Sequence, residues 1–259
     1  MAVAESWVHP SVNGVADVRP DELHQIFNFD LLIAPFDAKT LFRLVNNTIE
    51  MLKDVGAYPT WAISNHDSPR VASRLGAEEA RALALFLFGL PGSCYVYNGE
   101  ELGLPDAEVA DSDRQDPSFL RTNGETKGRD GARVPLPWSG METPFGFSAG
   151  KPWLPLPTNW NELTVEIQSS NSDSSLSLYK RAISERTKLL GANDFTWDTS
   201  KLSEGVLGFS RGGIQVYLNS GDKSVKLQAS EIILSSSGSQ NLLNGELKLM
   251  PRRAIWFKR

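Results

Sequence analysis

The alternation of apolar runs, polar run ends and helical segments constrains this chain more than any other feature of its sequence. Residues 61–63 form a short apolar run that stops at three adjacent polar residues, Asn65, His66 and Asp67. Pro69 then opposes further regular strand pairing. The pattern predicts a buried strand over 61–67 with chemically active groups at its carboxyl end, although a capping Asp beside a hydrogen-bonded His would look the same.

The same strand and helix alternation continues on both sides of this stretch. An apolar run at the start of the chain meets Glu5, and a later one closes on Glu100 and Glu101. The sequence predicts strands over 27–29 and 94–97, and helices over 37–55, 78–90 and 174–190. Such a rhythm is typical of a parallel α/β sheet or barrel, in which the carboxyl ends of the strands form the active site.

Two further segments differ from this rhythm. Residues 102–172 are rich in Pro, Gly, Asp and Trp without a clear period, and long irregular segments inside compact proteins are usually functional. After Gly191, short alternating runs separated by turn residues predict an antiparallel β domain. We therefore expect two domains, 1–191 and 192–259.

Composition and charge exclude several classes of function. The net charge of -5 and the absence of a basic run argue against a nucleic-acid partner. The start of the chain lacks the pattern of a signal peptide, and no segment is long and apolar enough to span a membrane, so we expect a cytoplasmic protein. Cys94, the one cysteine, lies in an apolar context that favours a buried, inert thiol.

The predicted strand ends bring together groups that handle protons. We expect one pocket to combine three strand-end carboxylates, at Glu5, Asp67 and Glu100 or Glu101, with His66 and a polar loop that contains Arg129. No phosphate-binding glycine pattern or metal-ligand spacing competes with it. Glycoside hydrolysis needs such carboxylates, because the leaving oxygen must be protonated and the transition state resembles an oxocarbenium ion. The residues alone make this reaction one candidate.

Four ordered motifs strengthen that candidate by resemblance. The chain resembles the α-glucosidases of glycoside hydrolase family 13, the α-amylase family, in these motifs: Ala-Glu-Ser-Trp at 4–7, Ser-Asn-His-Asp-Ser-Pro-Arg at 64–70, Tyr-Asn-Gly-Glu-Glu-Leu-Gly at 97–103, and Gly-Arg-Asp-Gly-Ala-Arg-Val-Pro-Leu-Pro-Trp at 128–138. The resemblance implies the C-terminal half of a (β/α)8 TIM barrel, about strands five to eight, followed by an all-β domain.

The resemblance also implies a role for individual residues. Glu5 matches the general acid/base, and Asp67 matches the third carboxylate, which holds sugar hydroxyls. His66 matches a hydroxyl-binding histidine, and Arg129 a guanidinium that helps to hold the glucosyl unit and orient Asp67. We expect Glu100 and Glu101 to be structural, and we assign no role to Arg70.

One element of the family pattern does not occur here. The family's nucleophile is an Asp in a Gly-Phe-Arg-x-Asp type motif on the fourth strand, and these residues contain no such motif. We therefore expect a retaining α-glucosidase for short oligosaccharides, present as a fragment that is inactive alone and that pairs with an N-terminal half-barrel. We expect no obligatory cofactor, since no oxygen-rich calcium loop is present.

Two other functions remain open from the sequence. The same motifs serve glucosyl-transferring isomerases similar to trehalose synthase, in which a sugar rather than water accepts the glucosyl unit. A non-catalytic sugar-binding half-barrel is the other alternative. The linkage preference, α-1,4 or α-1,6, does not follow from these residues.

Overall fold

The computed structural model describes residues 2–5, 18, 23–53, 55–238 and 240–259. Its first part alternates short parallel strands with helices. The strands are β1 (Val3–Ala4), β2 (Gln25–Ile26), β3 (Thr60–Trp61) and β4 (Ser93–Cys94). The helices are α1 (Asp30–Ile33), α2 (Ala38–Lys53), α3 (Val71–Leu75), α4 (Ala77–Gly89), α5 (Pro117–Arg121), α6 (Val165–Ser169) and α7 (Ser175–Thr187).

The four strands form two parallel pairs that follow chain order. β1 pairs in parallel with β2, and β3 pairs in parallel with β4. The Thr60 hydroxyl joins the two pairs, because it donates to the carbonyl of Ile26 at 2.7 Å and accepts from the backbone N–H of Asn28 at 3.0 Å. Gln25 of β2 reaches past β3 to the hydroxyl of Ser93 in β4, as side chains of alternate strands do inside a parallel barrel.

Helices α2 and α4 confirm two sequence predictions. In α2 the positions Leu41, Val45 and Leu52 are buried on one side, and the chain turns at Gly56, whose φ of +69° suits a glycine. Helix α4 is apolar on nearly every side because it packs both against α7 and against the C-terminal sheet.

The C-terminal part is antiparallel, as predicted. Its strands are β5 (Thr196–Asp198), β6 (Val206–Arg211), β7 (Ile214–Asn219), β8 (Val225–Gln228), β9 (Glu231–Ser235), β10 (Glu246–Leu249) and β11 (Arg253–Lys258). Five of them form a sheet in the order β5-β6-β7-β11-β9, and β8 pairs with β10 in a second layer. A separate core lies between these layers and includes Tyr217, Leu247 and Phe257.

The predicted lengths of three parallel strands were wrong. The stretches 61–67 and 94–97 are strands only at their beginnings, and the predicted strand 27–29 lies just after β2. Side chains at these strand ends compete with the ladder: Asn28 accepts from the backbone N–H of Asp30, and Asn65 accepts from that of Asp67. The chain therefore leaves the sheet at the residues that build the site.

The irregular segment 102–172 holds only short helical turns around a small core of its own, which includes Val134, Phe145 and Trp160. The division at residue 191 stays a prediction, and the largest core cluster contains residues from both sides of it, such as Phe86 and Phe209. No helix among the described residues is long and apolar enough to cross a membrane.

Candidate active site

Side chains from the ends of β1 and β3 meet at one place. Glu5 follows β1 directly, and His66 and Asp67 lie in the loop between β3 and α3. One carboxylate oxygen of Glu5, one of Asp67 and a ring nitrogen of His66 all lie within 4.8 Å of one another. The structure thus brings together three of the four site residues that the sequence singled out.

The loop that carries Asp67 is fixed by its own side chains. The Asn65 side-chain oxygen accepts hydrogen bonds from the backbone N–H of Asp67 at 3.0 Å and of Ser68 at 2.8 Å. This turn, in which a side chain replaces a backbone acceptor, sets the direction of the Asp67 side chain. At the start of α3, the backbone N–H of Val71 donates to the Ser64 hydroxyl at 3.0 Å.

Two guanidinium groups converge on one oxygen of Asp67. Nη1 of Arg129 and Nη2 of Arg133 each lie 2.7 Å from Oδ1 of Asp67. Nε2 of His66 is 3.6 Å from the same oxygen. The other oxygen, Oδ2, has no hydrogen-bond partner among the residues that the structure describes. Within the described part of the chain, Asp67 therefore offers one free acceptor to a ligand.

Arg129, the fourth predicted residue, joins Asp67 to a second carboxylate. Its Nε donates to Oδ2 of Asp116 at 2.7 Å, and its backbone N–H donates to the same oxygen at 2.9 Å. The Asp116 side chain is fully buried, whereas 41% of the Arg129 side chain is exposed. The hydrogen bond from Arg129 holds the pKa of the Asp116 carboxyl well below its usual range, so Asp116 stays charged.

Arg133 and Asp116 are contacts that the sequence reasoning did not single out. Arg133 belongs to the motif at 128–138. The 3-10 turn Asp130–Ala132 places it on the same side as Arg129. Its Nε also donates to the carbonyl of His66 at 2.9 Å. Asp116 precedes Pro117, and this sequence context predicts only a helix cap. Asp116 is indeed the N-cap of α5, because its side chain accepts from the backbone N–H of Ser118.

Arg70, which the sequence left unassigned, contacts neither Glu5 nor Asp67. Its guanidinium is buried and donates to the carbonyls of Asn98 at 2.6 Å and Ala132 at 2.9 Å. It also lies 5.2 Å from the ring centre of Tyr97. Arg70 therefore holds the loops after β3 and β4 and the segment carrying Arg133 together.

Glu100 and Glu101 are neighbours in the chain but have different hydrogen-bond partners. Glu101 accepts from the backbone N–H of Gly99 at 2.9 Å, which is the structural role that the sequence predicted. Glu100 is buried and accepts instead from the hydroxyl of Tyr179 at 3.0 Å. Burial raises the pKa of Glu100 to about 8, so this carboxyl is largely protonated at neutral pH.

A cavity of about 250 Å³ lies beside Asp67 and opens to solvent. Its wall combines the loop at Asp67 and Ser68 with Arg129 and the backbone of Gly128 and Gly131. This space is large enough for a small polar ligand beside Asp67 and Arg129.

Glu5, His66 and Asp67 form the one group of metal-ligand side chains found among the described residues. The charge around it does not favour a cation, because two guanidinium groups already neutralise Oδ1 of Asp67. The expectation of no obligatory cofactor stays a prediction.

Comparisons with known proteins identify the family. The profile described as alpha amylase, catalytic domain, matches residues 16–191. The chain belongs to this family, glycoside hydrolase family 13, which confirms the resemblance found in the motifs.

Individual relatives agree with this assignment. A probable alpha-glucosidase of Rhizobium meliloti is 34% identical over 177 residues, which cover 64% of this chain and 31% of that protein. An oligo-1,6-glucosidase of Parageobacillus thermoglucosidasius is 28% identical over 200 residues, covering 64% and 35%. The crystal structure of the alpha-glucosyl transfer enzyme XgtA superimposes with a TM-score of 0.80 at 29% identity, over 99% of this chain and 50% of XgtA.

The chain thus spans about a third of these curated relatives and half of the solved structure. Since nearly all of it superimposes on a family enzyme, the predicted fold class, a C-terminal barrel half followed by a β domain, is confirmed.

Proposed function

We propose that these residues form the acid/base and sugar-binding part of a retaining α-glucosidase that removes terminal glucose from short α-glucosides. The observation that carries the proposal is the meeting of Glu5, His66 and Asp67 within 4.8 Å at the ends of two parallel strands. A site with these groups can protonate a glycosidic oxygen and hold sugar hydroxyls.

Glu5 is the proposed general acid/base. It is exposed and lies beside His66 and Asp67, where it can reach a bound glycosidic oxygen. The same carboxyl would first protonate the leaving oxygen and then, as carboxylate, take a proton from the incoming water.

Asp67, His66 and Arg129 are the proposed hydroxyl-binding groups. As far as the described residues show, Oδ2 of Asp67 is free to accept from a sugar hydroxyl. The imidazole of His66 has 52% of its surface exposed beside it. Two guanidinium groups at 2.7 Å draw charge from the Asp67 carboxylate. This makes Asp67 a weak nucleophile and a well-positioned acceptor.

The covalent step needs another carboxylate. Retaining glycosidases use two carboxyl groups about 5 Å apart, one attacking the sugar while the other donates a proton. The sequence contains no Gly-Phe-Arg-x-Asp type motif, so we propose that the nucleophile lies on a complementary half-barrel and that these residues alone do not hydrolyse substrate.

The sheet offers a place for that complement. Among the described residues, β1 pairs only with β2, and β4 pairs only with β3, so each outer strand has an unpaired edge. Unpaired edges of this kind accept further strands. The division into domains 1–191 and 192–259 remains part of the proposal.

Hydrolysis of an aryl α-glucoside tests the proposal. The purified chain should give no saturable hydrolysis, and adding a family 13 half-barrel that carries the nucleophile motif should produce activity that Glu5→Gln abolishes. Saturable hydrolysis by the chain alone, lost in both Glu5→Gln and Asp67→Asn, would instead make Asp67 the nucleophile. Activity of the reconstituted enzyme that survives Glu5→Gln would refute the acid/base assignment.

Transfer of glucose to a second sugar is the alternative within the family. The observation that favours it is the 29% identity to XgtA, which is described as an alpha-glucosyl transfer enzyme. Incubating the reconstituted enzyme with maltose separates the two reactions: glucose alone indicates hydrolysis, whereas a new disaccharide, as from an enzyme similar to trehalose synthase, indicates transfer.

A further inference from the structure

Asp116 is held more firmly than any ligand-facing group of the site. Its Oδ1 accepts from the backbone N–H of Ser118 at 2.9 Å and from the Ser118 hydroxyl at 2.8 Å. Its Oδ2 accepts the two bonds from Arg129 described above. Its own backbone N–H donates to the buried carboxylate of Asp130 at 3.0 Å. Both carboxylate oxygens and the backbone N–H of Asp116 are thus hydrogen-bonded.

Arg129 has the opposite character, because much of its side chain is exposed and an unrestrained arginine samples many rotamers. The carboxylate of Asp116 accepts from Nε of Arg129 with Oδ2, and its Oδ1 lies 3.5 Å from Nη2 of Arg129. The remaining nitrogen, Nη1, is the one that donates to Asp67. The buried carboxylate therefore decides which edge of the guanidinium meets Asp67.

Arg133 completes the arrangement between the two carboxylates. Its Nη1 lies 3.9 Å from Oδ2 of Asp116, while its Nη2 is bonded to Oδ1 of Asp67. Both guanidinium groups thus bond to the same Asp67 oxygen, and neither contacts Oδ2.

We propose that Asp116 is a positioning residue of the glucosyl site: it touches no ligand, and it holds Arg129 in the one orientation that fixes Asp67 with its free oxygen toward the sugar. This inference rests on the proposed function, since it assigns Asp67 to sugar binding. It adds a residue whose sequence context, Asp before Pro, indicates only a helix cap.

A double-mutant cycle tests the proposal with the full chain. Asp116→Asn keeps a good helix cap and removes the charge, and Arg129→Gln removes the group through which Asp116 acts. The ligand is the glucose-configured iminosugar deoxynojirimycin, measured by calorimetry. We expect Asp116→Asn to weaken binding about tenfold in the wild-type background, the effect of losing a charged hydrogen-bond partner. In the Arg129→Gln background it should change binding less than about twofold.

Asp113→Asn is the matched control. Asp113 lies in the same segment and pairs with the exposed Lys151, and neither residue lines the cavity beside Asp67. It should leave iminosugar binding unchanged. Equal losses from Asp116→Asn in both backgrounds, or a lowered melting temperature with unchanged binding, would overturn the positioning role.

A second readout separates this proposal from the proposed function. The Nε hydrogen of Arg129 should exchange slowly with water in the wild type, so its NMR signal should be present there and in Asp113→Asn and be lost in Asp116→Asn. If the wild type binds no iminosugar, the assignment of the sugar site fails, while this signal still reports whether Asp116 holds Arg129. Persistence of the signal in Asp116→Asn would overturn the positioning role by itself.

Discussion

At the scale of the residue, the two oxygens of Asp67 have different surroundings. Oδ1 is bonded to two guanidinium groups at 2.7 Å, and Oδ2 is free among the described residues. The motifs predicted Asp67, His66, Glu5 and Arg129, because each belongs to an ordered sequence pattern. They could not predict Asp116, since only the folded chain brings its carboxylate to Arg129.

Glu100 supplies a prediction at this scale because its charge state couples to folding. Burial raises its pKa from 4.5 to about 8 in the folded chain. The folded state therefore keeps a proton on Glu100 that the unfolded state releases. The contribution of Glu100 to stability is fully present below pH 4.5 and is lost as pH rises toward about 8. Between pH 5 and pH 8, Glu100→Gln should gain about 2–4 kcal/mol in free energy of unfolding relative to the wild type.

Urea unfolding at pH 5 and pH 8 measures that difference. Glu101→Gln, at the neighbouring carboxylate that accepts from Gly99, is the matched control for the loss of one carboxyl group from this turn. Parallel pH dependence of Glu100→Gln and the wild type would show that Glu100 is not protonated in the folded chain.

At the scale of the element, α4 links the two parts of the fold. The indole Nε1–H of Trp256 in β11 donates to the carbonyl of Leu85 in α4 at 2.9 Å. Its last turn is capped by two arginines: Arg186 donates to the carbonyl of Leu90 at 2.7 Å and Arg211 to the same carbonyl at 2.8 Å. Cations at a helix C-terminus are favourable because they meet the negative end of the helix dipole.

The sequence predicted the helices better than the parallel strands. The apolar patterns of α2 and α4 extend over many residues, so the errors in the predicted first and last residues of these helices are small. A parallel strand of two residues carries little periodic signal, and the apolar stretch 61–63 extends beyond the paired residues Thr60–Trp61 of β3. The hydrogen bond that Asn65 accepts from the backbone N–H of Asp67, which the apolar pattern does not show, ends the strand.

Gly89, in the last turn of α4, supplies the prediction at this scale. A Cβ placed on it would lie 2.8 Å from Cζ of Phe209 and 2.9 Å from Cγ2 of Val216 in the C-terminal sheet. Gly89→Ala should therefore lower the free energy of unfolding by about 1–3 kcal/mol through overpacking, despite the better helix propensity of alanine.

Denaturant unfolding of Gly89→Ala beside Gly150→Ala checks this expectation. Gly150 has open space around a Cβ and no positive φ, so its replacement should change stability by less than about 0.5 kcal/mol. Equal stability of Gly89→Ala and the wild type would mean that α4 does not pack this closely on the sheet.

At the scale of the whole molecule, one apolar core runs from the helices of the barrel part into the C-terminal sheet. Phe86 of α4 lies 5.2 Å from Phe209 of β6, ring centre to ring centre, and both are fully buried. This shared core includes Trp61 of β3 and Ile63 just after it, so it reaches the strand end that precedes His66 and Asp67. The sequence predicted the two parts and their order. It did not predict this contact, because the apolar pattern of α4 does not indicate which element the helix packs against.

The claim that the ends of β1 and β3 form a glucosyl-binding site is tested most directly by an NMR titration of the full chain with deoxynojirimycin. The account predicts that the largest backbone shifts lie at Glu5, His66 and Asp67, that Asp67→Asn weakens binding at least about tenfold, and that the galactose-configured isomer binds more weakly. Absence of binding, or shifts that lie elsewhere and survive Asp67→Asn, would contradict it.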